Sequence, residues 1–156
     1  MLFRDFLVPV ILDDLAAHTR NEVLAEMTDA LVRTQVLSPD SRESVLAALR
    51  DRERLASTAI GKNTHFAIPH AKHPSVRKLT GLFARSREGV PYDAPDGEPV
   101  HLFMLLLSNH HCADKHLDAV AYAIKQFRDP DFRRFLLNAR GSEQIAEFLD
   151  AADQGV

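Results

Sequence analysis

His70 follows Pro69 at the end of the segment Arg52–His70, RERLASTAIGKNTHFAIPH, and His116 opens a later helical stretch in DKHLDAV. Proline fixes its own φ and restricts the residue before it, so Ile68-Pro69 holds the next imidazole at the end of an extended run. A neutral imidazole carries one free lone pair, which can attack phosphorus and form a phosphohistidine. That product is an anion and needs compact donors beside it. Arg52 can supply a bidentate fork, and Ser57 or Thr58 a hydroxyl. His116 can donate from its side chain while the amino end of its helix adds positive potential. Together these groups suit the holding of a phosphoryl group on nitrogen.

Taken singly, each residue also has an ordinary explanation. A helix-end arginine is stabilised by the macrodipole, and a Ser-Thr pair commonly caps a helix or edges a strand. His18, His65, His73 and His101 read as ordinary loop or cap residues, and His110-His111 as a solvated loop. His70 with His73, or His110-His111-Cys112 with His116, offers a metal-binding alternative. Neither spacing matches a familiar zinc pattern, and the single cysteine, Cys112, cannot build a structural thiolate site. The chain has no G-x-S-x-G elbow, no G-x-x-x-x-G-K phosphate loop and no H-E-x-x-H. The phosphoryl reading calls for no metal and no cofactor.

The surrounding elements follow from periodicity and punctuation. Val8–Leu12 reads as a strand. Thr19 caps a helix over Arg20–Thr34, with Val23, Met27, Ala30 and Leu31 on one face. Ser38-Pro39 starts a helix that carries Val45, Leu46 and Leu49 and ends near Arg52. Phe66–Ile68 is a short strand running into the His70 turn. Leu79–Ala84 and Val100–Leu107 are apolar on both faces, as central strands covered above and below must be. The turn Ala94-Pro95-Asp96-Gly97 between them suggests antiparallel neighbours. Asp114 is the expected cap of a helix with the stripe Leu117, Val120, Ala121, Ile124 and Phe127. Asp129-Pro130 starts a helix with Phe132, Phe135 and Leu136. Gly141 stops it, and Ser142 caps a last helix with Ile145, Phe148 and Leu149. The expected fold is α/β: one layered domain over residues 1–156, with a mixed sheet flanked by helices on both sides.

Composition narrows the function classes. The 156 residues suffice for a substantial core. A net charge of −3 with both signs interspersed leaves no electrostatic footprint for nucleic acid and no polybasic membrane patch. MLFRDFLVPVIL is interrupted by Arg4, Asp5 and Pro9 and lacks a cleavage site, and no run approaches the ~18 apolar residues of a membrane span. One cysteine suits a reducing compartment. A cytoplasmic protein without membrane insertion is the expectation.

Five stretches in order resemble a known family. They are Arg52-Glu53, Ser57-Thr58-Ala59-Ile60-Gly61, Ala67-Ile68-Pro69-His70, Asp96-Gly97-Glu98-Pro99-Val100 and His116-Leu117. Along nearly its whole length the chain is similar to the enzyme IIA domains of the bacterial phosphoenolpyruvate-dependent sugar phosphotransferase system, in the fructose/mannitol class that includes the nitrogen-regulatory member. The resemblance implies that His70 accepts a phosphoryl group from the histidine phosphocarrier protein, with His116 supporting and Arg52 a site arginine. It also implies a mixed sheet flanked by helices. Three stretches depart from the family's pattern: Lys62–Phe66 is longer and lacks a second glycine, His101 stands where an acid is common, and Ser108–Cys112 replaces a loop that often contains proline.

Two functions compete. One is a phosphohistidine carrier, a phosphotransferase acting through covalent His70, either regulatory or serving a sugar permease domain. The other is a regulatory module that docks on protein targets and uses His70 phosphorylation, if any, only as a switch. A hydrolytic or metal-binding histidine site is the third and weakest reading.

Overall fold

The computed structural model describes residues 1–60 and 65–155. Its strands are β1 (Leu7–Leu12), β2 (Ala59–Ile60), β3 (Phe66–Ala67), β4 (His70–Lys72), β5 (Thr80–Val90) and β6 (Val100–Ser108). Its α-helices are α1 (Arg20–Arg33), α2 (Arg42–Leu55), α3 (Ala113–Phe127), α4 (Pro130–Asn138) and α5 (Ser142–Gln154), with 3-10 turns at Phe3–Asp5, Pro39–Ser41 and His110–Cys112. The sheet order is β1-β5-β6-β3-β2, with β4 also paired to β6. β5 and β6 are antiparallel, β1 runs parallel to β5, and β3 and β4 run parallel to β6. The expected mixed sheet is present.

Two-sided burial of the central strands follows from the pleat, which sends alternate side chains to opposite faces. Phe103, Leu105 and Leu107 of β6, with Leu82 and Ala84 of β5, join the core under α1 and α2. Leu102, Met104 and Leu106, with Phe83, join the core under α3, α4 and α5. Thr19 caps α1 by accepting from the Glu22 N–H, and Val23, Met27, Ala30 and Leu31 are buried as expected. The Gly97 N–H donates to the Ala94 carbonyl, which closes the expected turn between β5 and β6.

Three expectations need correction. The buried stripe of α3 is His116, Ala119, Ala123 and Phe127, while Leu117 is 67% exposed. The cause is at the helix start: Asn109 caps the turn His110–Cys112, the helix begins at Ala113, and a histidine rather than a leucine takes the inward position. In α4, Phe132 and Leu136 are buried four residues apart, but Phe135 lies to one side and stacks on Phe148 of α5. Gly141, not Ser142, occupies the cap of α5. Strands β2 and β4 are too short to show any periodicity in sequence. Gly61–Thr64, most of the departure at Lys62–Phe66, lies outside the described residues.

Candidate active site

β3 and β4 form one line along β6 in a single register, Phe66 opposite Leu102 and His70 opposite Leu106. The line breaks at Ile68-Pro69, where proline has no N–H to give. The Pro69 carbonyl still accepts from the Leu106 N–H at 2.9 Å, so His70 sits on the ladder rather than on a free loop.

The break also turns the Ile68 carbonyl to His70, whose Nδ1 lies 2.8 Å from it. A carbonyl only accepts, so Nδ1 carries the proton and Nε2 keeps its lone pair. His70 is half-buried, and its pKa is lowered, first by that burial and also by the charges of Arg52 and Lys72. The Ile68 carbonyl and the Glu53 charge pull the other way. The result is a neutral ring with a free lone pair, the form a nucleophile needs.

His116 is nearly buried, and its ring centroid stands 5.3 Å from that of His70, with the planes 67° apart. Its Nδ1 lies 2.7 Å from the buried Ser108 hydroxyl at the end of β6. Ser108 Oγ has no other side-chain bond among the described residues, so its hydroxyl hydrogen goes to Nδ1. That assigns the His116 proton to Nε2. Burial, then the His70 and Lys72 charges, push its pKa down to about 4, so this ring is a neutral donor.

Arg52 lies in the last turn of α2, and its Nη1 donates to the Ala56 carbonyl at 2.8 Å. Arg52, His70, Lys72 and His116, with Ala48 and Ala71, line an open depression of about 330 Å³. Three of the five site residues expected from sequence therefore meet in one place. Lys72 joins them; it lies two residues beyond His70 in a strand and so on the same face, a signal that alternation alone carries.

Ser57 and Thr58 do not line the depression. The Ser57 hydroxyl donates to the Tyr92 carbonyl at 2.7 Å and accepts from the Ala59 N–H at 3.1 Å. The Thr58 hydroxyl donates to the buried Glu53, and the Thr58 N–H donates to Glu53 Oε2 at 3.0 Å. The Tyr92 hydroxyl donates to Glu53 Oε1 at 2.9 Å. These bonds fix the turn between α2 and β2. Burial and the Glu53 charge push the Tyr92 pKa up, which keeps its hydroxyl protonated as a donor. Glu53 is thus a structural anchor next to Arg52, and sequence reasoning assigned it no role.

Among the described residues, no group of three or more His, Cys, Asp or Glu side chains is placed to hold a metal ion. His73 turns to the Ser75 hydroxyl at 2.7 Å, and His110 and His111 are exposed. No helix among the described residues is long and apolar enough to cross a membrane.

The chain has clear relatives among known proteins. A "Nitrogen regulatory protein" of Bradyrhizobium diazoefficiens is 32% identical over 150 residues, 96% of this chain and 95% of that protein. The crystal structure of nitrogen regulatory protein IIA-Ntr from Neisseria meningitidis superposes with a TM-score of 0.81 at 31% identity, covering 93% of this chain and 97% of that one. The fructose-specific EIIABC component of Bacillus subtilis is 29% identical over 90% of this chain, which corresponds to 22% of that longer protein. Residues 8–152 match the family described as "Phosphoenolpyruvate-dependent sugar phosphotransferase system, EIIA 2", and the chain belongs to that family.

Proposed function

We propose that this protein is a phosphohistidine carrier of the phosphotransferase system that accepts a phosphoryl group on His70 Nε2 from a histidine phosphocarrier protein, in a regulatory role. The observation that carries the reading is that His70 Nδ1 meets a carbonyl while His116 Nδ1 meets a hydroxyl. The Ile68 carbonyl leaves His70 with a free Nε2, and Ser108 leaves His116 with an Nε2–H. The lone pair of His70 Nε2 forms the new P–N bond as the donor's P–N bond breaks and its electron pair returns to the donor ring. The Nδ1 proton stays on the ring, donated to the Ile68 carbonyl. His116, Arg52 and Lys72 then face the transferred oxygens, and fixed donors at a developing charge lower the barrier. The Ser57-Thr58 turn serves the site by seating Arg52 and Glu53.

The regulatory role is supported by the two relatives matched over nearly their whole lengths, both named nitrogen regulatory proteins. Incubation with phosphoenolpyruvate, the system's first enzyme and its phosphocarrier should add one acid-labile phosphoryl group, read by intact mass at neutral pH. His70→Ala should abolish the adduct. Undiminished labelling of that variant would refute the assignment.

A further inference from the structure

The His70 depression lies at the Ser108 end of β6, and a second one lies at the His101 end. This second depression, of about 390 Å³, is lined by His65, Arg85, Ser86, Arg87, His101 and Leu137. The two are separated by some six residues of strand, roughly 20 Å.

Arg85 is fully buried on β5. Its Nε donates to the Asp13 carbonyl at 2.9 Å, and its Nη1 to the carbonyls of Leu136 and Ala139, both at 2.7 Å. Its Nη2 has no partner among the described residues. A buried guanidinium nitrogen without an acceptor is costly and marks a place where an acceptor fits. Arg87, two residues on and on the same face, adds a second guanidinium, one nitrogen of which donates to the Arg140 carbonyl at 3.1 Å.

Two imidazoles line the same depression. His101 Nδ1 donates to the Ser86 carbonyl at 2.9 Å, and His65 Nδ1 to the Pro99 carbonyl at 3.2 Å. Both bonds leave Nε2 for a ligand, and the ring centroids are 5.8 Å apart. Room for His101 depends on Gly89 at φ +88°, since a Cβ there would lie 2.7 Å from the imidazole Cε1.

We propose that this depression binds a compact phosphate-type oxyanion, either free phosphate or the phosphate end of a small monoester. The guanidiniums of Arg85 and Arg87 supply charge and donors. Each imidazole Nε2 needs one proton between itself and a ligand oxygen, carried by the ring or by the ligand's own P–OH. Asp13 and Asp14, which follow β1, offset part of the positive charge, and Asp14 accepts the Arg87 N–H at 3.0 Å. Arg140 after α4 adds to it, while Glu88 on β5 faces His18 at 3.6 Å. The two guanidiniums oppose a metal cation on the same imidazoles.

The test is a titration of the full chain, with 15N-labelled histidines, by inorganic phosphate, glycerol phosphate and sulfate. Phosphate should move the His65 and His101 ring signals together and to saturation, with the same midpoint in His70→Ala. Sulfate, which brings no proton, should bind more weakly than phosphate. Arg87→Gln and His101→Gln should each weaken phosphate binding by roughly tenfold. Tighter binding of glycerol phosphate would identify the monoester as occupant, and tighter binding of phosphate the free ion. Signals that do not move, that move undiminished in both variants, or that no longer move in His70→Ala would overturn the proposal.

Discussion

At His70 and His116 the same ring is given opposite roles by what each Nδ1 meets. A carbonyl makes His70 Nε2 an acceptor of bonds, and a hydroxyl makes His116 Nε2 a donor. The hydroxyl is the weaker constraint, because it can reverse its own hydrogen while a carbonyl cannot. His116→Ala should therefore slow phosphoryl uptake by roughly 10²-fold, as loss of one preorganised donor does. Ser108→Ala should slow it less, because the freed ring samples both tautomers. Initial rates of phosphoryl incorporation from the phosphorylated carrier give the comparison. A wild-type rate in His116→Ala would make that ring a bystander, and equal losses in both variants would mean that Ser108 alone holds the donor form.

At the scale of elements, α2 presents Arg52 because the turn that follows it is tied down by Glu53. That carboxylate accepts from the Thr58 N–H, the Thr58 hydroxyl and the Tyr92 hydroxyl, three donors that an amide cannot all satisfy. Glu53→Gln should lower stability by about 1–3 kcal/mol and Tyr92→Phe by about 1 kcal/mol, read from urea midpoints at constant slope. An unchanged midpoint in Glu53→Gln would show that water replaces the carboxylate there. This network also marks what the sequence could and could not reveal. Helix α1 was legible because its burial repeats at the helical period, and the cores of β5 and β6 because they are continuous apolar runs, as strands covered on both faces must be. The clustering of His70, His116 and Arg52 was legible through residue type and order. The Glu53–Tyr92 bond joins residues 39 apart and leaves no local trace. The phase of α3 was misread because its inward position is filled by a polar ring that Ser108 satisfies, and hydropathy cannot register a polar group that is buried and paired.

For the whole molecule the question is what a phosphoryl group on His70 changes. It adds about −2 to a ring that is otherwise neutral. The surface around it carries Arg52 and Lys72, and exposed leucines lie close in sequence: Leu55 (84% exposed) one turn beyond Arg52, and Leu117 (67%) next to His116. Such a face suits protein partners, with apolar contacts that hold a surface and a charge that decides which surface. An acidic partner would sit on the unmodified cations and be repelled after transfer, while a basic one would be recruited. In a regulator, His70→Ala and the phosphomimic His70→Asp should therefore capture different sets of proteins in a pulldown. A transport component needs no such difference; it needs a second carrier domain that takes the phosphoryl group away. If the two variants capture the same proteins while a purified permease domain drains the phosphoryl group quickly, the regulatory role is wrong and transport is right. Distinct captures, with a phosphoadduct that the permease domain leaves in place, would confirm that the charge on His70 is itself the signal.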